Sequence, residues 1–174
     1  LRYLGGSTNH WNGMCRSFED IDFNRDYLGE EFVWPIKLED VESYKNEACK
    51  ILEIDNDFNI DNTNNKTVNK IKFKFSPPVR FKDKYFDYLS SSKNISLYLN
   101  ANFIDIDGEE KTVKKAFFKN YFNKTLVLKS KYFILSMGGI ENSRFLLWLE
   151  KKYKDKFFDS SLPLGKYWIE HPNF

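Results

Sequence analysis

No run of these 174 residues comes near the ~18 consecutive apolar positions that a membrane-spanning helix needs, so no such helix is expected here. Cysteine is scarce. Cys15 and Cys49 stand apart, without Cys-x-x-Cys spacing, which argues against a disulfide framework or a zinc site and for free thiols in a reducing or indifferent compartment. An excess of one charge is missing too: 27 basic residues are interspersed with 25 acidic ones, leaving no footprint for nucleic acid. Histidine occurs only at His10 and His171, and the Gly-x-Gly-x-x-Gly step that seats a pyrophosphate at a helix start is absent. Asp55, Asp57 and Asp61 lack the glycine and closing glutamate of a calcium loop, so that stretch reads as solvated. What is present is enough chain for one ordinary core. Its 18% aromatic content suits a layered interior or a sugar-stacking surface.

The residues with most chemistry per position are Leu4 to Arg16. Gly5 and Gly6 let backbone N–H groups approach a ligand with no Cβ in the way. Ser7, Thr8, Asn9 and Asn12 add donors and acceptors at close spacing, beside His10 and Trp11. The alternative is a surface loop whose Gly, Asn and Ser only make turns.

That run resembles the flavin-contacting loop of the glucose-methanol-choline (GMC) oxidoreductase family, where a Gly-Gly-Ser-Ser or Gly-Gly-Ser-Thr turn lies against FAD. Members such as pyranose oxidase and choline oxidase carry, four residues after the second glycine, a histidine bound covalently to the flavin, and His10 has that spacing from Gly6. The resemblance therefore implies FAD, with His10 either tethered to it or hydrogen-bonding. Cys15-Arg16, Asp22-Phe23 and Trp34-Pro35-Ile36 are similar to bacterial members thought to act on sugars and polyols. Ser136-Met137-Gly138-Gly139 followed by Ile140 to Leu147 looks like a second family signature, with Asn142-Ser143 where a step into proline is usual. Leu164 to Pro172 resembles the segment that returns toward the substrate domain. Carried over residue by residue, cofactor contacts are implied at Gly5, Gly6, Ser7, Thr8, Asn9, His10, Asn12, Gly13, Met14, Phe103, Gly138 and Gly139, with the backbone near Phe103 facing the adenine. The family's catalytic histidine lies beyond Phe174, so no catalytic residue is expected here and His171 reads as structural.

Along the chain, Arg16 is expected to pair with Glu19 or Asp20. Leu38, Val41, Tyr44, Ala48, Ile51 and Leu52 recur at three and four, predicting one helix over 38–52 whose start, at Lys37, lacks a good cap. Residues 55–70 read as a loop. Ile71, Phe73 and Phe75 alternate like a half-exposed strand, and so do Ile95 to Ile106, turned by Asp107-Gly108. Val113 to Phe118 and Leu126 to Leu135 complete a meander, with Tyr132 to Leu135 apolar enough for a parallel strand buried on both faces. A helix follows, then a charged end and exposed loop over 151–159.

The expected fold class is α/β with α+β character: a partial FAD-binding Rossmann-like domain with inserted antiparallel substrate-domain segments, an internal piece of a longer enzyme. Residues 1–30 would form the flavin loop, 31–90 a substrate or cap segment, 91–150 the meander, return strand and helix, and 151–174 the way back to the substrate domain. The expected function is oxidation of a CH–OH group of a sugar, polyol or other alcohol, partnered by that small molecule and by the remainder of the chain. Two readings stay open beside it. One is a non-catalytic carbohydrate-binding α+β domain stacking sugars on Trp11, Trp34 and tyrosines; the other is a flavoprotein of another two-domain family, fumarate-reductase-like.

Overall fold

The computed structural model describes residues 3–58, 70–159 and 161–168. They fall into two compact units divided between Leu97 and Tyr98. Helices and antiparallel sheets occur together, so the fold is mixed α and β, and both sheets among the described residues are antiparallel. No helix among these residues is long and apolar enough to cross a membrane.

The first unit is built of short pieces. A 3-10 turn at Gly6–Asn9 precedes strand β1 (Met14–Cys15) and helices α1 (Asp20–Phe23), α2 (Leu38–Glu42) and α3 (Lys45–Leu52), then strand β2 (Lys74–Phe75) and helix α4 (Phe81–Ser91). Phe23 is buried, with Phe18 and Trp34 edge-on to its ring at 5.3 and 6.2 Å. The predicted 38–52 helix is two helices, because the chain tightens at Tyr44, whose N–H donates three residues back to Val41 at 3.0 Å. Its apolar face survives the break: Leu38, Val41, Tyr44, Ala48 and Leu52 line one cavity of about 340 Å³. At the poorly capped start, the Asp40 carboxylate accepts the Lys37 N–H at 2.9 Å, doing from inside the helix what Lys37 cannot do as a cap.

Two strand expectations shrink here. Of Ile71 to Phe75 only Lys74–Phe75 pairs, because its partner β1 is two residues long. Ile95 to Leu99 forms no ladder, and left-handed Asn100 (φ 55°) separates it from the strand that follows. Helix α4 was not expected; Phe81, Tyr85 and Leu89 keep helical spacing, but among lysines and aspartates they pass for a connection.

The second unit is a meander under a helix. Strands β3 (Asn102–Glu109), β4 (Thr112–Lys119) and β5 (Thr125–Lys129) pair in sequence order, followed by helix α5 (Gly139–Tyr153). The first turn lies at Glu110-Lys111 instead of Asp107-Gly108. Gly108 sits at a register shift where a Cβ would come within 2.1 Å of the Thr112 carbonyl oxygen, so it serves a bulge. Phe145 and Leu149, one turn apart on α5, join Ile106 and Phe157 in a buried cluster, and the Phe103 ring lies 4.4 Å from Phe145 and 5.3 Å from Phe118. Glu141 in the first turn of α5 and Lys151 and Lys152 in the last complement its dipole. Residues 151–159 are not wholly an exposed loop, because Phe157 belongs to this core.

The largest departure is Tyr132 to Leu135. It makes no ladder, and Tyr132 and Ile134 are 74% and 88% exposed. From 132 to 138 exposed and half-buried positions alternate, with Met137 packed on the core, which is the period of a strand covered on one face only.

Candidate functional site

The glycine-led loop of the first unit divides into groups spent on the fold and groups left to solvent. Gly5 is left-handed (φ 91°), and a Cβ there would stand 2.9 Å from the Lys82 amide nitrogen, so this glycine lets the loop sit against the start of α4. Thr8 Oγ1 donates to the Gly5 carbonyl at 2.6 Å and accepts the Phe81 N–H at 3.1 Å, satisfying one of the free amides at the α4 start. Asn9 Nδ2 donates to the Leu4 and Gly6 carbonyls at 2.8 and 3.1 Å. The Trp11 indole N–H donates to the Val79 carbonyl at 3.0 Å. Gly13 is buried at φ 83°, and a Cβ would lie 2.5 Å from the Ser76 carbonyl oxygen, whose amide in turn donates to the Gly13 carbonyl at 2.8 Å.

At the other positions the backbone is engaged as well, with the Gly6 N–H on the Tyr3 carbonyl at 3.0 Å, the Ser7 carbonyl accepting the His10 and Trp11 N–H groups at 3.1 Å each, and Met14 paired with Phe75, so what they leave to solvent is side chains. Gly6 (φ 52°) has nothing within 4 Å of where a Cβ would be, and Gly6, Ser7, His10, Asn12 and Met14 are all exposed. Asn12 does no more than accept the Met14 N–H at 3.4 Å. Beside Gly5, a shallow apolar depression of about 330 Å³ is lined by Leu4, Phe81, Tyr85, Tyr88 and Leu89.

Arg80 is the residue that sequence reasoning missed. Its Nη1 donates to the Thr8 and Trp11 carbonyls at 2.7 and 2.9 Å, and among the described residues no carboxylate is within ion-pair distance of it. It is half-buried, so a positive charge stands behind the loop compensated by carbonyl dipoles alone. Nothing in the run Pro77-Pro78-Val79-Arg80 announced that role. By contrast Arg16 pairs with Glu19, as its spacing suggested, and also donates to the Lys72 carbonyl at 3.2 Å. Cys15 and Cys49 are free thiols bordering the larger cavity; burial pushes the Cys15 thiol up, outweighing the hydrogen bond from the Ser76 amide that lowers it. No protein-family model, curated protein or solved structure matches this chain.

In the second unit Gly138 (φ 89°) also has nothing within 4 Å of a would-be Cβ, while Gly139 opens α5 with the Trp168 ring 3.4 Å from its would-be Cβ. Phe103 lies in β3 opposite Phe118, with its ring in the core. Thus Gly5 to Met14 form one loop in one unit, and Phe103, Gly138 and Gly139 belong to the other. His171, Glu170, Pro172 and Asp61 lie outside the described residues.

Proposed function

We propose that this chain is the cofactor-supporting part of a GMC-type FAD-dependent oxidoreductase that oxidises a CH–OH group of a sugar, polyol or other alcohol. One observation carries the reading: a loop whose Thr8, Asn9 and Gly13 are fastened to the fold leaves Gly6, Ser7, His10 and Asn12 exposed. Preorganised donors of this kind are what a flat, polar cofactor ring requires. Within the first unit the residues present suit the group, since a Cβ at Gly6 would meet nothing within 4 Å and the Ser7 and Asn12 side chains beside it are exposed. When bound, the flavin supplies the hydride acceptor at its N5 atom. Ser7 and Asn12 would hydrogen-bond its polar edge, and Arg80 would favour an anionic group beside the Thr8 to Trp11 backbone. An exposed His10 is accessible for the tether that the resemblance implies. In this reading the base that takes the hydroxyl proton is a histidine elsewhere in the enzyme.

Titration of FAD with the purified chain, followed by flavin fluorescence, tests the reading. A saturable quench is expected, weakened about fivefold in Ser7→Ala and in Asn12→Ala, the loss of one hydrogen bond each. A signal that rises linearly with FAD, without saturation, rejects flavin binding. Acid precipitation of protein expressed in flavin-replete cells reports on His10: flavin carried into the pellet by the parent and left in the supernatant by His10→Ala establishes the tether.

A further inference from the structure

The turn between β4 and β5 is built with care around residues that ordinary turns avoid. Asn120 Oδ1 accepts the Phe122 and Lys124 N–H groups at 2.9 Å each, the Asn120 N–H donates to the Lys124 carbonyl at 3.1 Å, and left-handed Asn123 (φ 62°) closes the loop. These bonds hold two aromatic side chains out of the protein: Tyr121 is 82% exposed and Phe122 86%. Lys119 and Lys124 stand on the shoulders. Below them, the strand register puts Phe117 opposite Val127 and Lys115 opposite Lys129 on the sheet face that carries Lys119. Residues Phe103 and Ile106 lie on the other face, under α5. Lys115 is neutralised by Asp107 at 3.0 Å, but among the described residues no carboxylate lies within ion-pair distance of Lys119, Lys124 or Lys129. The acidic end of the meander, Glu109 and Glu110, is at the opposite turn.

We propose that this tip is a peripheral anchor for an anionic lipid surface, with Tyr121 and Phe122 entering the headgroup region and Lys119 and Lys124 meeting lipid phosphates. Charge complementarity selects an anionic surface. Shape selects lipid over protein, because a two-residue tip falls far short of the roughly 800 Å² that each partner of a stable protein complex buries. The chemistry agrees. The Tyr121 ring with its hydroxyl suits the membrane interface while Phe122 supplies apolar area, and flexible ammonium groups suit diffuse headgroup charge where paired recognition of a carboxylate would call for arginine.

The test is sedimentation of the full chain with phosphatidylcholine vesicles, with and without phosphatidylserine. Pelleting is expected only with phosphatidylserine, declining as salt is raised. Replacing both rings (Tyr121→Ser with Phe122→Ser) should reduce partitioning at least about tenfold, and Lys119→Gln or Lys124→Gln about fivefold each, with unchanged circular dichroism. Failure to pellet with phosphatidylserine, or equal pelleting of the double variant, overturns the proposal. So does retention of the chain by soluble polyglutamate without vesicle binding, which would assign the tip to an acidic protein. Because no flavin is involved, the result is independent of the cofactor titration.

Discussion

Among the described residues of the first unit the buried side chains are Phe23, Cys49, Val79 and Ser76, dispersed along the chain, whereas in the second unit Ile106, Phe145, Leu149 and Phe157 share one cluster. The first unit is ordered by polar side chains reaching backbone groups: Arg80 on Thr8 and Trp11, Trp11 on Val79, Thr8 on the α4 start, Lys84 on the Ile51 carbonyl at 2.7 Å. The second is ordered by apolar contact between a helix and a three-stranded sheet. The difference shows where a loop can be fastened and still keep polar side chains exposed. Directional bonds fix a backbone while leaving neighbouring polar groups exposed, which an apolar cluster cannot do.

The sharpest way to break that comparison is Leu149→Ala. Leu149 is 1% exposed, and its truncation should cost about 2–5 kcal/mol in urea denaturation followed by circular dichroism. A cost under about 1 kcal/mol would mean that the second unit does not depend on its cluster. Next comes Gly13→Ala, which meets both a positive φ and the Ser76 carbonyl oxygen and should cost roughly 2–3 kcal/mol. Gly6→Ala, with the same class of backbone and open space, should cost about 1. Equal costs at the two glycines would remove the distinction between fastened and free positions in the loop. Thr8→Ala deletes the hydroxyl that serves the α4 start and should cost about 1 kcal/mol.

The smallest effect is expected at Asp107, whose carboxyl is held below its ordinary range first by the hydrogen bond from Lys115 and then by the Gly108 N–H. A lowered carboxylate pKa gives stability that is complete above about pH 4, where a free aspartate titrates, and is lost as pH falls through Asp107's own value. Lys115→Met should raise that value, as read by NMR titration of the carboxyl carbon.

Periodicity made the second unit largely legible. Alternation located β4 and most of β3, and the step from Gly138-Gly139 into a leucine-rich run located the start of α5 to within a residue. Register details were not legible, because Gly108 serves a bulge and the turn falls three residues later, and nothing local distinguishes a bulge glycine from a turn glycine. Tyr132 to Leu135 misled because a continuous apolar run signals burial, and the described residues provide no strand to bury it. In the first unit the loop was visible from its composition, but the split between spent and free groups was not. That split depends on Ser76, Arg80 and Phe81, each more than 60 residues away in sequence, and contacts at such range leave no local pattern.

One side chain on α5 imitates a missing peptide group. The amide of Asn142 accepts the Met137 N–H and donates to the Leu135 carbonyl, both at 3.1 Å, so a passing chain finds on the helix the donor and acceptor that a neighbouring strand would offer at every second residue. A carboxylate in its place would keep the acceptor and lose the donor, releasing Leu135 while still holding Met137. Asn142 thus works as a single rung that fastens Leu135 and Met137 to the start of α5.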